Sequence, residues 1–267
     1  MPWRRSEAFW PQDPARRGGG GQPGVWDFFY KGPDVAGDIR EKYGYDGDLL
    51  RIFTGTSGAM VHKWHHYIPI YDRYFSRFRG TGVRFLEIGV SKGGSMRMWR
   101  EYFGPEAVIY GIDIDPDCAR FDGEAGQVRI GSQDDAGFLG AVVEEMGGVD
   151  IVLDDGSHMM PHVRRTLDIL FPLLARDGLY MIEDLHTAYW PTYKGGYGTR
   201  ANFFHNLGHI FDDMHRWYHT RGVSRPGVGD AISAVHVHDP ITVFEKAPVW
   251  PPVHSQVGKA DPPEGAA

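Results

Sequence analysis

Short apolar runs bounded by Gly or Asp recur at residues 83–90, 107–114, 128–130, 149–153 and 179–183. Runs that stay apolar instead of alternating suit strands buried on both faces. Between them, residues 94–102, 137–146 and 162–174 carry apolar side chains at helical spacing. Strand and helix in alternation predict an α/β fold: a mostly parallel sheet with right-handed crossovers and helices on both faces. A last pair of runs, 234–238 and 241–246, is separated only by Asp239-Pro240. So tight a connection predicts an antiparallel hairpin ending a seven-stranded sheet.

The flanks read differently. Residues 1–33 hold the run Gly18 to Gly21 and Pro2, Pro11, Pro14, Pro23 and Pro33, so they predict a flexible tail. The same stretch is dense in aromatics (Trp3, Phe9, Trp10, Trp26, Phe28, Phe29, Tyr30), which predicts docking of parts of it on the domain or on a neighbouring subunit. Residues 251–267 are rich in Pro, Gly and Ala and predict a loose C-terminal tail.

Composition narrows the function classes. The chain has 267 residues, 42% hydrophobic and 24% charged, with a net charge of −7. That length builds one large domain. Mild acidity without a basic stripe argues against a nucleic-acid partner. The single cysteine, Cys118, forms no internal disulfide, and no apolar run reaches the ~20 residues of a membrane helix. No apolar stretch follows the N-terminal arginines, so the expectation is a cytoplasmic protein with no membrane partner.

The sharpest local motif is Phe85-Leu86-Glu87-Ile88-Gly89-Val90-Ser91-Lys92-Gly93-Gly94-Ser95. A strand ends in an acid, and glycines let the backbone turn sharply and approach a ligand before a helix opens with free N–H groups. The spacing is neither Gly-x-Gly-x-x-Gly nor a Gly-Lys-Ser/Thr phosphate loop. An acid before the first glycine repels a pyrophosphate but attracts the cationic amino group of S-adenosylmethionine. Glu87, Gly89, Gly93 and Ser95 are therefore candidate cofactor residues, unless the segment is simply a glycine-rich strand–helix turn. About twenty residues on, Tyr110-Gly111-Ile112-Asp113-Ile114-Asp115-Pro116 sets an acid at a strand's carboxyl end, where it accepts the ribose hydroxyls. Asp113 is the candidate and Asp115 the reserve; a turn-forming or capping acid is the plainer reading. Gln133 and Asp134 stand where an adenine edge is read, although Asp134 equally suits the N-cap of the next helix.

The fourth and fifth strands run into Asp154-Asp155-Gly156-Ser157-His158 and Glu183-Asp184-Leu185-His186. Ligands of open α/β sheets bind outside the carboxyl ends of strands, so both clusters face the crevice that receives the methionine end of the cofactor. Four carboxylates and two imidazoles converging there are costly without a cation. Oxygen ligation suits magnesium, with manganese as the alternative, better than zinc. Such an ion lowers the pKa of an acceptor hydroxyl and orients it, and His158, three residues after Asp155, is placed to accept its proton. Asp154 is a further candidate for binding the cofactor; the plainer readings are a capping or core-edge histidine for His158, packing for His186, and backbone satisfaction in the turn for Asp154.

These residues carry a resemblance. Leu86–Val90 with Gly93-Gly94-Ser95 and Met98-Trp99, Gly111–Ile114, Asp154–His158, and Ile182-Glu183-Asp184-Leu185-His186-Thr187 with Tyr189-Trp190-Pro191 together resemble the metal-dependent sugar O-methyltransferases of macrolide biosynthesis. The cephalosporin-pathway methyltransferase/hydroxylase proteins are relatives of that family. The resemblance spans roughly residues 50–246. It implies the class I methyltransferase (Rossmann-like) fold, S-adenosylmethionine and Mg2+ as cofactors, and a homodimer or tetramer. It assigns Asp155, Glu183 and Asp184 as magnesium ligands, and Asp155 and His158 as catalytic, with His158 the general base. It also implies a His/Tyr-rich helix over residues 54–74 covering the cofactor, with Tyr67 or His66 near the methionine carboxylate. The corresponding domain division is a cap at 34–80 and a core at 81–250. The chain departs from longer members in lacking a sizeable N-terminal domain, which leaves the acceptor open.

Three features complete the reading. Residues 189–197 predict a mobile lid, with Trp190, Tyr193 and Tyr197 as platforms for a sugar ring or a flat phenol, or else a surface loop. His205, His209, His215 and His219 sit in pairs four apart on a helix around 202–218; without a matched Glu or Cys they suit a polar helix face better than zinc. The favoured function is Mg-dependent methylation of a sugar hydroxyl on a saccharide, a polysaccharide precursor or a glycosylated natural product. The alternatives are a catechol-type O-methyltransferase, a metal-dependent hydrolase or hydroxylase using the same acids, and a non-catalytic nucleotide-binding regulator.

Overall fold

Alternate residues of the central strands feed two separate cores, as a strand's two-residue period requires. Phe85, Ile109, Ile151, Leu153, Leu179 and Met181 belong to one core, and Leu86, Ile88, Tyr110, Ile112, Val152, Tyr180 and Ile182 to the other. This explains why the strands read as unbroken apolar runs. The computed structural model describes residues 28–258; expectations for residues 1–27 and 259–267 lie outside them.

The strands are β1 (Arg84–Ile88), β2 (Val108–Asp113), β3 (Gln127–Ile130), β4 (Val149–Asp154), β5 (Leu174–Ile182), β6 (Ile232–Val237) and β7 (Thr242–Lys246). They form one sheet in the order β3-β2-β1-β4-β5-β7-β6. Strands β1 to β5 pair in parallel, and β7 is antiparallel to both β5 and β6. This is the class I methyltransferase fold, with the closing hairpin that the Asp239-Pro240 connection predicts. The strand order reverses between β1 and β4, the topological switch point where open α/β sheets bind ligands.

The helices are α1 (Val35–Tyr43), α2 (Asp48–Thr54), α3 (Tyr67–Phe75), α4 (Gly94–Phe103), α5 (Ala136–Glu145), α6 (Met160–Leu170) and α7 (Phe203–Met214). On one face, α1 to α4 bury Ile39, Leu50, Tyr71 and Trp99; on the other, α5 to α7 bury Leu139, Leu167 and Ile210. Among the described residues no helix is long and apolar enough to cross a membrane.

Several boundaries differ from those predicted. The helix expected over 54–74 starts only at Tyr67, and residues 55–66 form a strap with no regular helix. Gly55, Gly58 and a run of bulky rings leave no helical period there. The N-cap of α5 is Asp135, which accepts from Gly137 N and Phe138 N; Asp134 stands one residue too early to reach them. Helix α6 ends at Leu170 because Pro172 follows, and β5 begins earlier than expected, at Leu174. Ile114, placed in the second strand by its apolarity, is 71% exposed beyond the end of β2. The four histidines of the 202–218 segment are exposed, on and just after α7.

At the edge of the N-terminal region, the rings of Phe28, Phe29 and Tyr30 lie against Trp64, His62 and His65, with centroids 5.3, 5.7 and 4.9 Å apart. These residues, with His66 and His238, line a cleft of about 850 Å³.

Candidate functional site

The glycine turn after β1 is closed by neighbouring backbone. Gly89 has φ 97°, and a Cβ there would meet Asp155 O at 2.1 Å, so the turns after β1 and β4 touch only because that residue has no side chain. Gly93, φ 74°, opens α4. Asp113 closes the turn from the side: its Oδ2 accepts from Val90 N at 3.0 Å and Ser91 N at 2.9 Å. Asp115 instead accepts from Asp117 N in the following short helix.

Glu87 is fully buried at the end of β1. It accepts from Ser95 Oγ at 2.9 Å and Trp99 Nε1 at 3.1 Å. Burial pushes its pKa up to about 7, against the opposing pull of Lys63. Asp154, also buried, takes Gln133 Nε2 at 3.2 Å and Tyr180 OH at 3.1 Å, and burial raises it to about 6. Gln133 also donates to Thr166 Oγ1 and accepts from Ser157 N at 2.7 Å. It thus ties the turns after β3 and β4 together. Asp134 lies apart and exposed, taking Ser132 Oγ at 2.5 Å.

The ends of β4 and β5 bring Asp155, His158 and Asp184 together, with ligand atoms of all three within 4.8 Å of one another. His158 Nε2 is 3.8 Å from both Asp155 Oδ1 and Asp184 Oδ2. The other oxygen of each carboxylate is held by the chain. Asp155 Oδ2 takes Lys63 Nζ at 2.6 Å; Asp184 Oδ1 takes Tyr67 OH at 2.7 Å and Trp64 Nε1 at 3.1 Å. Each acid is therefore anchored through one oxygen and turns the other toward the imidazole. His158 and Asp184 adopt φ of 55° and 54°, the left-handed region that costs a non-glycine residue ~1–2 kcal/mol. Two such residues at one spot mark a geometry held by its surroundings.

Glu183 faces the opposite way. It takes Lys63 Nζ at 3.0 and 3.1 Å and Tyr71 OH at 2.6 Å, inside the protein. Burial and the charge of Asp155 push its pKa well up. Burial works against the charge on Lys63, but Asp155, Glu183 and Glu87 outweigh it and hold the ammonium above its ordinary range. Burial also opposes Asp184, yet His158, His186 and the Tyr67 hydroxyl keep its carboxyl below its ordinary value.

Aromatic rings wall the imidazoles. Trp190 stands edge-on to His186 at 4.9 Å, Trp64 meets the same ring at 5.6 Å, and Tyr193 lies 6.4 Å from His158. Tyr197, from the same predicted platform, is 88% exposed. Burial lowers the pKa of His186. Lys63, Trp64 and Tyr71 hold these acids, although the sequence pattern assigns them no role. The signal available was charge: carboxylates predicted to converge need a cation from the chain, and Lys63 lies in the one segment expected to cover them.

Comparison with known proteins bears on this arrangement. A methyltransferase-domain family model matches residues 86–185. The chain is 36% identical over 234 residues to the 8-demethyl-8-(2-methoxy-alpha-L-rhamnosyl)-tetracenomycin-C 3'-O-methyltransferase of Streptomyces olivaceus, covering 83% of this chain and 59% of that protein. It is 36% identical over 221 residues to the mycinamicin VI 2''-O-methyltransferase of Micromonospora griseorubida, covering 76% and 54%. A solved structure of the mycinamycin-pathway methyltransferase MycE, in complex with Mg and SAH, superposes with a TM-score of 0.67 at 33% identity, over 76% of this chain and 55% of that one. The chain thus spans little more than half the length of these relatives. With a third of its residues identical to these sugar O-methyltransferases across three quarters of its length, and with the same fold, the chain carries a methyltransferase domain similar to theirs, built on the class I methyltransferase fold.

Proposed function

We propose that this chain transfers the methyl group of S-adenosylmethionine to a sugar hydroxyl of a glycosylated small molecule, assisted by a divalent cation. The observation that carries this reading is the convergence of Asp155, His158 and Asp184 beside the glycine turn at the switch point of the sheet. Two carboxylates, Asp155 held from behind by Lys63 and Asp184 by Tyr67 and Trp64, form an oxygen donor set that fits Mg2+ or Mn2+, with the His158 imidazole beside it. Asp155 and Asp184 hold the ion in this reading. Glu183, the third acid that the family resemblance assigns, backs the site through Lys63. A cation there supplies the charge that lowers the pKa of the acceptor hydroxyl and orients it.

The chain's own groups do the rest. His158 accepts the hydroxyl proton as the oxygen attacks the methyl carbon; the new O–C bond forms as the C–S bond breaks, leaving S-adenosylhomocysteine and a methyl ether. Glu87 faces the amino group of the cofactor and Asp113 the ribose, while Gly89 and Gly93 let the backbone close on it. Trp190 and Tyr193 offer ring faces to the sugar. In this reading residues 34–80 cap the cofactor, 81–250 form the catalytic core, and 1–33 and 251–267 flank them. The family resemblance implies a homodimer or tetramer, and a single cysteine, Cys118, with no disulfide partner fits a cytoplasmic setting.

Calorimetric titration with S-adenosylmethionine, followed by a screen of glycosylated acceptors with mass spectrometry locating the new methyl, tests this. Absence of cofactor binding overturns methyl transfer and leaves the metal-dependent hydrolase standing. Binding without methylation of any sugar, but with methylation of a catechol, moves the acceptor to the phenol class.

The buried Glu87 predicts how binding varies with pH. In the free protein its carboxyl is protonated below about 7, whereas the cationic amino group of the cofactor favours the ionised form. Binding therefore releases a proton, and affinity falls about tenfold for each pH unit below 7. Titration between pH 5.5 and 8 is expected to show this slope, and Glu87→Gln to flatten it. A wild-type affinity independent of pH removes Glu87 from the cofactor's contacts.

A further inference from the structure

The strap between α2 and α3 crosses directly over the glycine turn. A Cβ on Gly94 would meet Met60 O at 2.3 Å and Ala59 O at 2.5 Å. Beyond that crossing the strap sends Lys63 inward, its side chain 2% exposed, to bridge Asp155 and Glu183. Trp64 follows onto Asp184, and His65 Nδ1 pairs with Asp38 Oδ2 at 2.7 Å on α1. The ammonium also lies 5.8 Å from the Tyr71 ring. The strap therefore touches the glycine turn through the carbonyls of Ala59 and Met60 and the acidic cluster through Trp64 and one residue of opposite charge, Lys63.

Lys63 shares Asp155 with the cation site. Its Nζ holds Oδ2, while Oδ1 faces His158 and, beyond it, Asp184. A positive charge one carboxylate away from a divalent ion weakens the hold of that carboxylate on the ion, and the effect is strong where solvent screening is low. The same charge spares Asp155 and Glu183 from standing unpaired in the interior. We propose that Lys63 is a tethered counter-cation that sets the metal affinity of the Asp155–Asp184 site, trading tight binding for a cluster that folds before metal arrives. The inference rests on the metal reading given above.

The test is calorimetric titration of the full chain with MgCl2, and separately with MnCl2, together with thermal unfolding with and without each salt. Lys63→Met keeps the length of the side chain and removes the charge. It is expected to bind Mg2+ at least about tenfold more tightly than wild type and to gain more in Tm on adding the ion; Lys63→Arg, which keeps the charge, is expected to stay within about threefold of wild type. Unchanged or weaker Mg2+ binding by Lys63→Met overturns the proposal while leaving the metal site intact. If Lys63→Met unfolds without metal, recovery by millimolar Mg2+ supports the counter-cation role, and failure to recover overturns it. Wild type that binds neither ion overturns the metal reading itself, an outcome distinct from the others.

Discussion

Asp184→Asn is expected to lower turnover by about 10³-fold: a bound metal supplies several kcal/mol of charge stabilisation, and each ~1.4 kcal/mol is a factor of ten. The substitution isolates the charge. Asp184 sits at φ 54°, a conformation that Asn tolerates better than other non-glycine residues. The amide oxygen of Asn also still accepts from Tyr67 and Trp64 as Oδ1 does now. What is lost is the anionic oxygen facing His158. The same mechanism requires EDTA to abolish turnover and added Mg2+ to restore it in the wild type, with little restored in the variant. Full activity after exhaustive chelation would refute metal assistance and leave the carboxylates as structural acids.

The second large effect concerns the proton. Replacing His158 removes the group positioned to accept it, and general-base catalysis contributes about 10²–10⁴-fold. His158→Asn is the cleaner variant, because φ at this residue is 55° and Ala would add backbone strain to the loss of the imidazole. Turnover is expected to fall by about 10²-fold or more with cofactor affinity unchanged, and partial recovery is expected as the pH is raised and more acceptor ionises. Cofactor affinity that collapses with turnover would make His158 a structural residue of the turn after β4. A drop in Mg2+ affinity with the cofactor still bound would make it a metal ligand.

The elements that were legible in the sequence are those with a strong local cause. Strands buried on both faces must be apolar throughout, so β1, β2 and β4 announced themselves, and the Asp239-Pro240 link left little room for anything but a hairpin. The glycine turn was legible because backbone contact demands glycine: a Cβ at Gly89 would meet Asp155 O. The strap at 55–66 was misread as helix because a family-level expectation was laid over residues whose rings take their partners from distant elements. Asp134 suits the cap of α5 in the sequence, but the helix begins one residue later and Asp135 caps it, which depends on where the chain leaves β3; Gln133 joins the turns after β3 and β4.

By itself, then, the sequence determined the order of strands and helices, the glycine turn and the two acidic strand ends, because each is written in neighbouring residues. Only the tertiary structure decided which oxygen of each acid is free. Lys63 lies 92 residues from Asp155 and 120 from Glu183, and Tyr67 lies 117 from Asp184. Such pairings arise when strap and sheet pack together and buried charges must find partners at any separation along the chain. That packing turned a row of carboxylates into a site with a direction: Glu183 inward on Lys63, and Asp155 and Asp184 toward His158.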